Sequence, residues 1–341
     1  MSCLGGAMLR RMIRRRTSIL LPMAAALAAP ALAQEAPWPQ ARPITLIGGF
    51  PNGSGVDIYQ RRLAEPLSRA LGQTIVVDNR TGAGGNIGSD FVAKARPDGY
   101  TFYFGTAGTH AINASLYRSL PFDVVRDFTP IAHLGDVPNI LTVSVERRPQ
   151  FTDCATLLAA ARQARGGLNF ASTGNGASTH LAGAQFVNAA GIEATHIPYR
   201  GQPGAQTALL AGDVDFFFNQ TGPAIPAIRQ GQVRGLAVST AQRLPALPDV
   251  PTVAEACSLP GFVSTTWYGL FGPANLPRPI VERVSQEVNR ALADPAFRRW
   301  LVEEQAISPP PVDTPEGFAA IQRQDIARWA EVVRRSGATV D

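Results

Sequence analysis

From residue 43 onward the chain alternates short apolar runs with longer stretches in which apolar residues recur every four positions. Residues 43–47 predict a buried strand. Residues 57–71 predict an amphipathic helix, because Tyr59, Leu63, Leu67 and Leu71 line up on one face at helical spacing. Gly72 follows at the position where a left-handed residue stops a helix. Residues 74–77 predict a second strand. A helix over 86–95 ends at the turn Pro97-Asp98-Gly99, and a third strand covers 101–104. This βαβαβ order implies a mostly parallel sheet, since helical crossovers return each strand in the same direction.

A second series follows. Strands are predicted at 140–143, 168–171, 195–197, 214–218 and 234–238, with helices at 154–165, 179–190, 205–211 and 224–231 between them. The tail is helical. Ile280, Val284, Val288 and Leu292 share one face of 279–293, and a last helix runs from Thr314 and Pro315 toward Gly337. Two α/β units in one chain imply two lobes, with the apolar stretches 128–134 and 264–271 as the strands that cross between them. The expected partition is 34–134 with 264–341 as one lobe and 135–263 as the other. Two crossings bring the C-terminal helices back to the first lobe.

The N-terminus changes the charge picture. Arg10, Arg11, Arg14, Arg15 and Arg16 precede an apolar run that ends Ala31-Leu32-Ala33. A basic segment, a short apolar segment and an A-x-A exit make a cleavable signal peptide, residues 1–33. Pro22 and Pro30 interrupt the run, which falls short of the roughly 20 residues of a spanning helix. The whole chain is +5, from 31 basic and 26 acidic residues, and the leader carries five of those arginines with no acid. The remaining chain is formally neutral, so composition gives no support for nucleic-acid binding. Cys154 and Cys257 then sit in an oxidising compartment, the periplasm. They are either one disulfide or two buried small hydrophobes. Two lone cysteines build no zinc or iron–sulfur site.

The informative loops lie at the carboxyl ends of the strands, the edge where open α/β sheets bind ligands. They read Phe50-Pro51-Asn52-Gly53-Ser54-Gly55-Val56-Asp57, Thr81-Gly82-Ala83-Gly84-Gly85-Asn86 and Gly105-Thr106-Ala107-Gly108-Thr109-His110 in the first unit. In the second they read Ser172-Thr173-Gly174-Asn175-Gly176-Ala177-Ser178, Tyr199-Arg200-Gly201 and Asn219-Gln220-Thr221-Gly222. Glycine exposes backbone N–H groups, Ser, Thr and Asn add neutral donors, and helix N-termini favour anions. Such a cleft prefers carboxylates.

Enzyme motifs are absent or broken. Ile87 stands where a dinucleotide fingerprint needs its third glycine, and neither a P-loop lysine nor a G-x-S-x-G elbow occurs. The four histidines, His110, His133, His180 and His196, are not paired at a metal spacing. His133 reads as structural. His110 and His180 flank polar loops and either line the cleft or bond at helix starts. A hydrolase or isomerase acting on a small acid is the alternative function.

The motifs, taken together, resemble the Bug family, the periplasmic receptors of tripartite tricarboxylate transporters. They include Pro43-Ile44-Thr45-Leu46, Asp78-Asn79-Arg80, Gly82-Ala83-Gly84-Gly85-Asn86-Ile87-Gly88 and Ala93-Lys94-Ala95-Arg96-Pro97-Asp98-Gly99-Tyr100. Thr109-His110-Ala111-Ile112-Asn113, His180-Leu181-Ala182-Gly183, His196-Ile197-Pro198-Tyr199-Arg200-Gly201 and Trp267-Tyr268-Gly269 continue the likeness in order to the C-terminus. The resemblance implies a two-lobed, type II periplasmic-binding-protein fold of class α/β. It also implies a ligand carboxylate held by backbone N–H groups and ordered water, not by an arginine.

The corresponding positions are Phe50, Gly53, Ser54, Gly55 and Asp57, then Gly84, Gly85 and Asn86, with Thr106 and Thr109 from the third loop. Ser172, Thr173, Ser178, His180, Tyr199 and Asn219 would complete the site from the second lobe. Asn219 stands where the family often has Asp, which favours a diacid or aromatic acid over an amino acid. The resemblance further implies no cofactor, a monomer, and integral membrane transporter subunits as partners. Gly84→Val should block the carboxylate and leave the fold intact.

Overall fold

The computed structural model describes residues 37–310, 314–336 and 339–340. The expected signal peptide, residues 1–33, lies outside them. The first sheet contains β1 (Ile44–Gly48), β2 (Ile75–Asn79), β3 (Thr101–Thr106), β4 (Phe128–Val137) and β10 (Thr266–Pro273), in the order β2-β1-β3-β10-β4. The second contains β5 (Asn139–Ser144), β6 (Leu168–Ser172), β7 (Ala194–Pro198), β8 (Phe216–Gln220) and β9 (Val233–Val238), in the order β7-β6-β8-β5-β9.

In each sheet three strands pair in parallel, β2-β1-β3 and β7-β6-β8, and two further strands continue the sheet by antiparallel pairing. The sheets are therefore mixed, with the expected parallel arrangement confined to the βαβαβ portion. In the first sheet the antiparallel additions are the crossing strands, and in the second they are β5 and β9. β4 and β10 are the stretches read as crossing strands, and they pair with each other along the first sheet.

The chain passes from β4 to β5 through Pro138 alone. Its return is tied to that passage by one hydroxyl. Asn139 N–H donates to Ser239 Oγ at 2.9 Å, and Ser239 Oγ donates to the Ser264 carbonyl at 2.7 Å.

Helix α1 (Gly55–Leu71) buries Tyr59, Leu63, Leu67 and Leu71 against β1 and β3, as its four-residue spacing requires. Helices α2 (Asn86–Ala93) and α3 (Asn113–Leu116) complete the first series. The second series holds α4 (Cys154–Gln163), α5 (Ser178–Ala190), α6 (Gln202–Ala211), α7 (Thr221–Arg229) and α8 (Val253–Ala256). The C-terminal helices α9 (Arg278–Ala293), α10 (Pro295–Arg299) and α11 (Pro315–Ser336) pack on the first sheet. Val281, Val284 and Val288 join the core beside Leu46, and Phe318 and Trp329 join the one beside Ile47.

Helices α6 and α7 begin three residues earlier than their periodicity suggests, because their first turns carry loop-like residues such as Gly, Gln, Pro and Thr.

Cys154 and Cys257 are joined as a disulfide, with Cα atoms 5.3 Å apart and a sequence separation of 103. The bond links the start of α4 to the residue after α8 inside the second lobe's core. In chain-entropy terms a loop of this size adds about 4–5 kcal/mol. Among the described residues no helix is long and apolar enough to cross a membrane.

Candidate functional site

The loop after β1 is shaped by a buried carboxylate. Asp57 accepts from the Gly53 N–H at 2.9 Å, Asn79 Nδ2 at 2.6 Å and Arg61 Nε at 2.8 Å, while its own N–H donates to the capping Ser54 Oγ at 3.2 Å. Burial by itself would raise the Asp57 pKa. The Gly53 and Asn79 hydrogen bonds and the Arg61 charge outweigh it and hold it below the ordinary carboxylate value. Gly53 and Asp57 thus bond to each other and set the direction of α1, leaving Ser54 and Gly55 at the helix mouth.

The second loop turns through a short 3₁₀ segment, Ala83–Gly85, just before α2. Gly84 sits at φ +65°, and a Cβ there would lie 2.8 Å from the Tyr117 hydroxyl and 3.2 Å from the Asn175 carbonyl of the opposite sheet's loop. Gly84→Val is therefore not the clean probe that its sequence suggests, because it would strain the backbone and push the loops apart. Asn86 Oδ1 accepts from Asn113 Nδ2 at 2.7 Å, so this part of its amide is held by its own lobe.

Thr109 is fully buried, and Thr106 and Thr109 close a turn on each other. Thr109 Oγ1 also meets His110 Nδ1 at 2.9 Å. His110 stacks on Phe271 at 4.0 Å, and burial pushes its pKa down to about 3. It is a neutral core residue that bonds Thr109, and it does not line the cavity.

The loop of the second sheet is held from behind. Ser172 Oγ donates to the Gly174 carbonyl at 3.1 Å and lies 2.6 Å from His196 Nε2. Ser172 Oγ also accepts from the Gly174 N–H at 3.1 Å. Thr173 N–H donates to Thr179 Oγ1 at 2.9 Å, and Gly176 N–H donates to His180 Nδ1 at 3.2 Å. The His180 and His196 rings stack at 3.8 Å beside a groove of about 670 Å³ that Val332 of α11 also lines. Burial lowers both pKa values, to about 4 for His180 and about 3 for His196.

The structure thus places His180 behind the loop instead of on its cleft side. Tyr199 is half-buried against Gly204, and its N–H bonds the Ser172 carbonyl. Asn219 faces α6, where its amide meets Gln202 and donates to Gln206 Oε1 at 2.6 Å.

Between the two sheets' loops lies a cavity of about 10 Å³, room for about one water. Phe50, Thr106, Gly108, Thr173, Ala177, Ser178, Gln220, Thr266 and Tyr268 line it, and none carries a charge. Phe50, Thr106, Thr173 and Ser178 of the sequence-predicted residues meet here; the others do not line it.

Sequence reasoning passed over Gln220, Thr266 and Tyr268. Side chains alternate across a strand, so Gln220 and not Asn219 turns to the cleft face of β8. Thr266 and Tyr268 come from a crossing strand, read only as a connector, although Tyr268 belongs to the Trp267-Tyr268-Gly269 motif. The loops are in contact. Gly55 N–H donates to Gln220 Oε1 at 3.3 Å, and a Cβ on Gly201 would collide with Pro51. The N-terminal ends of α5 and α7 meet at this cavity through Ser178 and the capping Gln220, and that of α1 reaches it through the Gly55 hydrogen bond to Gln220.

Known proteins share this fold. Residues 59–337 match the family described as "Tripartite tricarboxylate transporter family receptor". BugT of Bordetella pertussis is 34% identical over 315 residues, 92% of this chain and 94% of that protein. An R. palustris protein solved with adipate superposes with a TM-score of 0.84 at 34% identity, over 89% of this chain and 100% of its own. MatC from Rhodopseudomonas palustris with bound malate gives 0.79 at 32% identity, over 86% and 99%. With the family match spanning most of the sequence and the folds in register, this chain belongs to the tripartite tricarboxylate transporter receptor family and is a Bug-type solute receptor.

Proposed function

We propose that the receptor captures a di- or tricarboxylate, or an aromatic acid, in the cleft between its two sheets and delivers it to integral membrane transporter subunits. The observation that carries this reading is the uncharged cavity at the N-terminal ends of α1, α5 and α7. Such ends attract an anion by roughly 0.3–1 kcal/mol each, and charge-assisted hydrogen bonds add to that. The carboxylate site comprises Ser54 and Gly55 with Gly84, Gly85 and Asn86, facing Thr173 and Ser178. Adipate in one relative and malate in another support a dicarboxylate. Mass spectrometry of the small molecules released on denaturing purified protein tests it: an organic acid is expected, and a cationic or sugar ligand would sink the proposal.

The lobes are 34–134 with 264–341, and 135–263, with β4 and β10 as hinge. Support comes from the sheet membership of the strands, with 135–137 still paired to β10 in the first sheet, and from the Ser239 tie between the crossings. In the closed arrangement both lobes touch the ligand. The receptor acts in the periplasm after cleavage behind Ala33, a setting that agrees with the Cys154–Cys257 disulfide.

A hydrolase would need an activated nucleophile at the cavity, and the Ser172–His196 pair does not line it. Incubating pure protein with the recovered acid should return it unchanged.

A further inference from the structure

One contact in the cleft has the form of a ligand contact made by the protein itself. Gly55 is the first residue of α1, so its N–H lies at the positive end of a 17-residue helix and has no partner within the helix. In this structure it donates to Gln220 Oε1, which reaches across from the end of β8. An amide oxygen has the trigonal acceptor geometry of a carboxylate oxygen and lacks only the charge.

We propose that Gln220 is an internal surrogate for the ligand's carboxylate. It occupies the anion position, latches the two lobes together in the ligand-free receptor, and is displaced by an incoming acid. This rests on the reading that the cleft takes a carboxylate, and it adds how the site chooses.

Three observations support the latch. Gln220 is buried, and it joins the N-terminal turn of α1 in one lobe to that of α7 in the other. A Cβ built on Gly55 would lie 3.0 Å from Gln220 Oε1 and 3.0 Å from the Tyr268 hydroxyl, so the space at the helix mouth is already filled by two polar groups. The cavity beside them is about 10 Å³, too small for any organic acid while Gln220 stays in place. Gln220 is one of the walls that a ligand must move in order to bind.

The exchange supplies selectivity that no cation provides. None of the cavity's lining residues is charged. A hydrogen bond to a charged acceptor is roughly twice as strong as a neutral one. A carboxylate oxygen therefore displaces the amide oxygen with a gain. A hydroxyl, amide or ester carbonyl replaces like with like and gains nothing. The surrogate sets a threshold that rejects neutral solutes. It also lowers affinity for every ligand by holding the empty receptor in a state that must open first.

The test uses the full mature receptor, small-angle scattering without ligand, and calorimetry with adipate as probe. Gln220→Leu removes the amide at similar bulk, and Gln220→Asn keeps the amide one methylene too short to reach. Both should raise the ligand-free radius of gyration, and circular dichroism should show the fold retained. Gln220→Glu should keep the empty receptor compact and weaken adipate binding by at least about tenfold, the loss of one charge-assisted bond.

An unchanged ligand-free scattering curve in folded Gln220→Asn and Gln220→Leu would overturn the latch, as would an open Gln220→Glu. If adipate fails to bind the parent while the ligand-free variants open as expected, the latch stands and the choice of a dicarboxylate is what fails.

Discussion

The two lobes offer the same cavity two differently built supports. In the first, the loop before α1 is anchored by a charged network: a buried carboxylate, Asp57, holds Gly53, Asn79 and Arg61. In the second, the loop before α5 is anchored by hydroxyls and two neutral imidazoles, Ser172, Thr179, His196 and His180. Both supports keep charge off the cavity wall while aiming a helix N-terminus at it. The difference teaches that a charge-free site can be held by ionised groups one layer back, and that the two halves should respond differently to pH and to redox state.

The largest effect should separate the lobes by redox. Replacing both Cys154 and Cys257 with Ala removes a cross-link confined to the second lobe. We expect a stability loss of about 4–5 kcal/mol by urea denaturation, with the first lobe's hydrogen-exchange protection reduced least. Uniform loss across both lobes would break the comparison.

Asp57→Ala strikes the first support. It removes the acceptor of the Gly53 N–H and of one Asn79 N–H, while Asn79 keeps Asn52 Oδ1 and the half-exposed Arg61 keeps its hydration. A loss of about 2–3 kcal/mol is expected, smaller than for a fully buried pair.

Acid sharpens the contrast. His180 and His196 have folded pKa values depressed below the ordinary 6.5, so their contribution is complete above pH 6.5 and is lost as pH falls toward 4. Unfolding free energy should fall across that window by up to about 1.4 kcal/mol per pH unit for each histidine. Buried His110 in the first lobe adds one similar step. Asp57 behaves otherwise: its pKa is lowered from 3.8, so its contribution persists until the pH drops below that value. Replacing His180 and His196 with Gln should flatten the profile between pH 6.5 and 4, and an unchanged slope would show that the second support does not titrate.

Smaller effects concern the cleft. Ser178→Ala removes one neutral donor and should weaken adipate binding by roughly 1 kcal/mol, about fivefold, in calorimetry. Arg200→Ala should change binding by less than about twofold, since Arg200 is exposed and does not line the cavity. Abolished binding in that variant would mean that capture depends on a salt bridge.

Much of the architecture was readable along the chain because each element carries its own periodicity. The face Tyr59, Leu63, Leu67 and Leu71 needs only the helix repeat to be found, and the loops stand out because Gly, Ser, Thr and Asn break the apolar pattern. The roles inside those loops were less readable. Asp57 looks like a ligand contact in sequence, and only the positions of Gly53, Asn79 and Arg61 around it make it a loop anchor. His180 looks like a cleft residue, and a half-turn of α5 puts it behind the loop. The disulfide was one of two open readings, decided by how α4 and α8 meet.

The sequence alone determined the alternating α/β elements, the uncharged glycine loops at strand ends and, through its motifs, the receptor family. These are local properties or ordered patterns that survive without coordinates. The tertiary structure alone decided which neighbours face the cavity. Gln220 and Asn219 are adjacent in sequence and point to opposite faces of β8, and Tyr268 reaches the site from a strand more than 200 residues after Phe50. Side-chain direction depends on pleat and register, and a cleft between lobes exists only once distant segments meet.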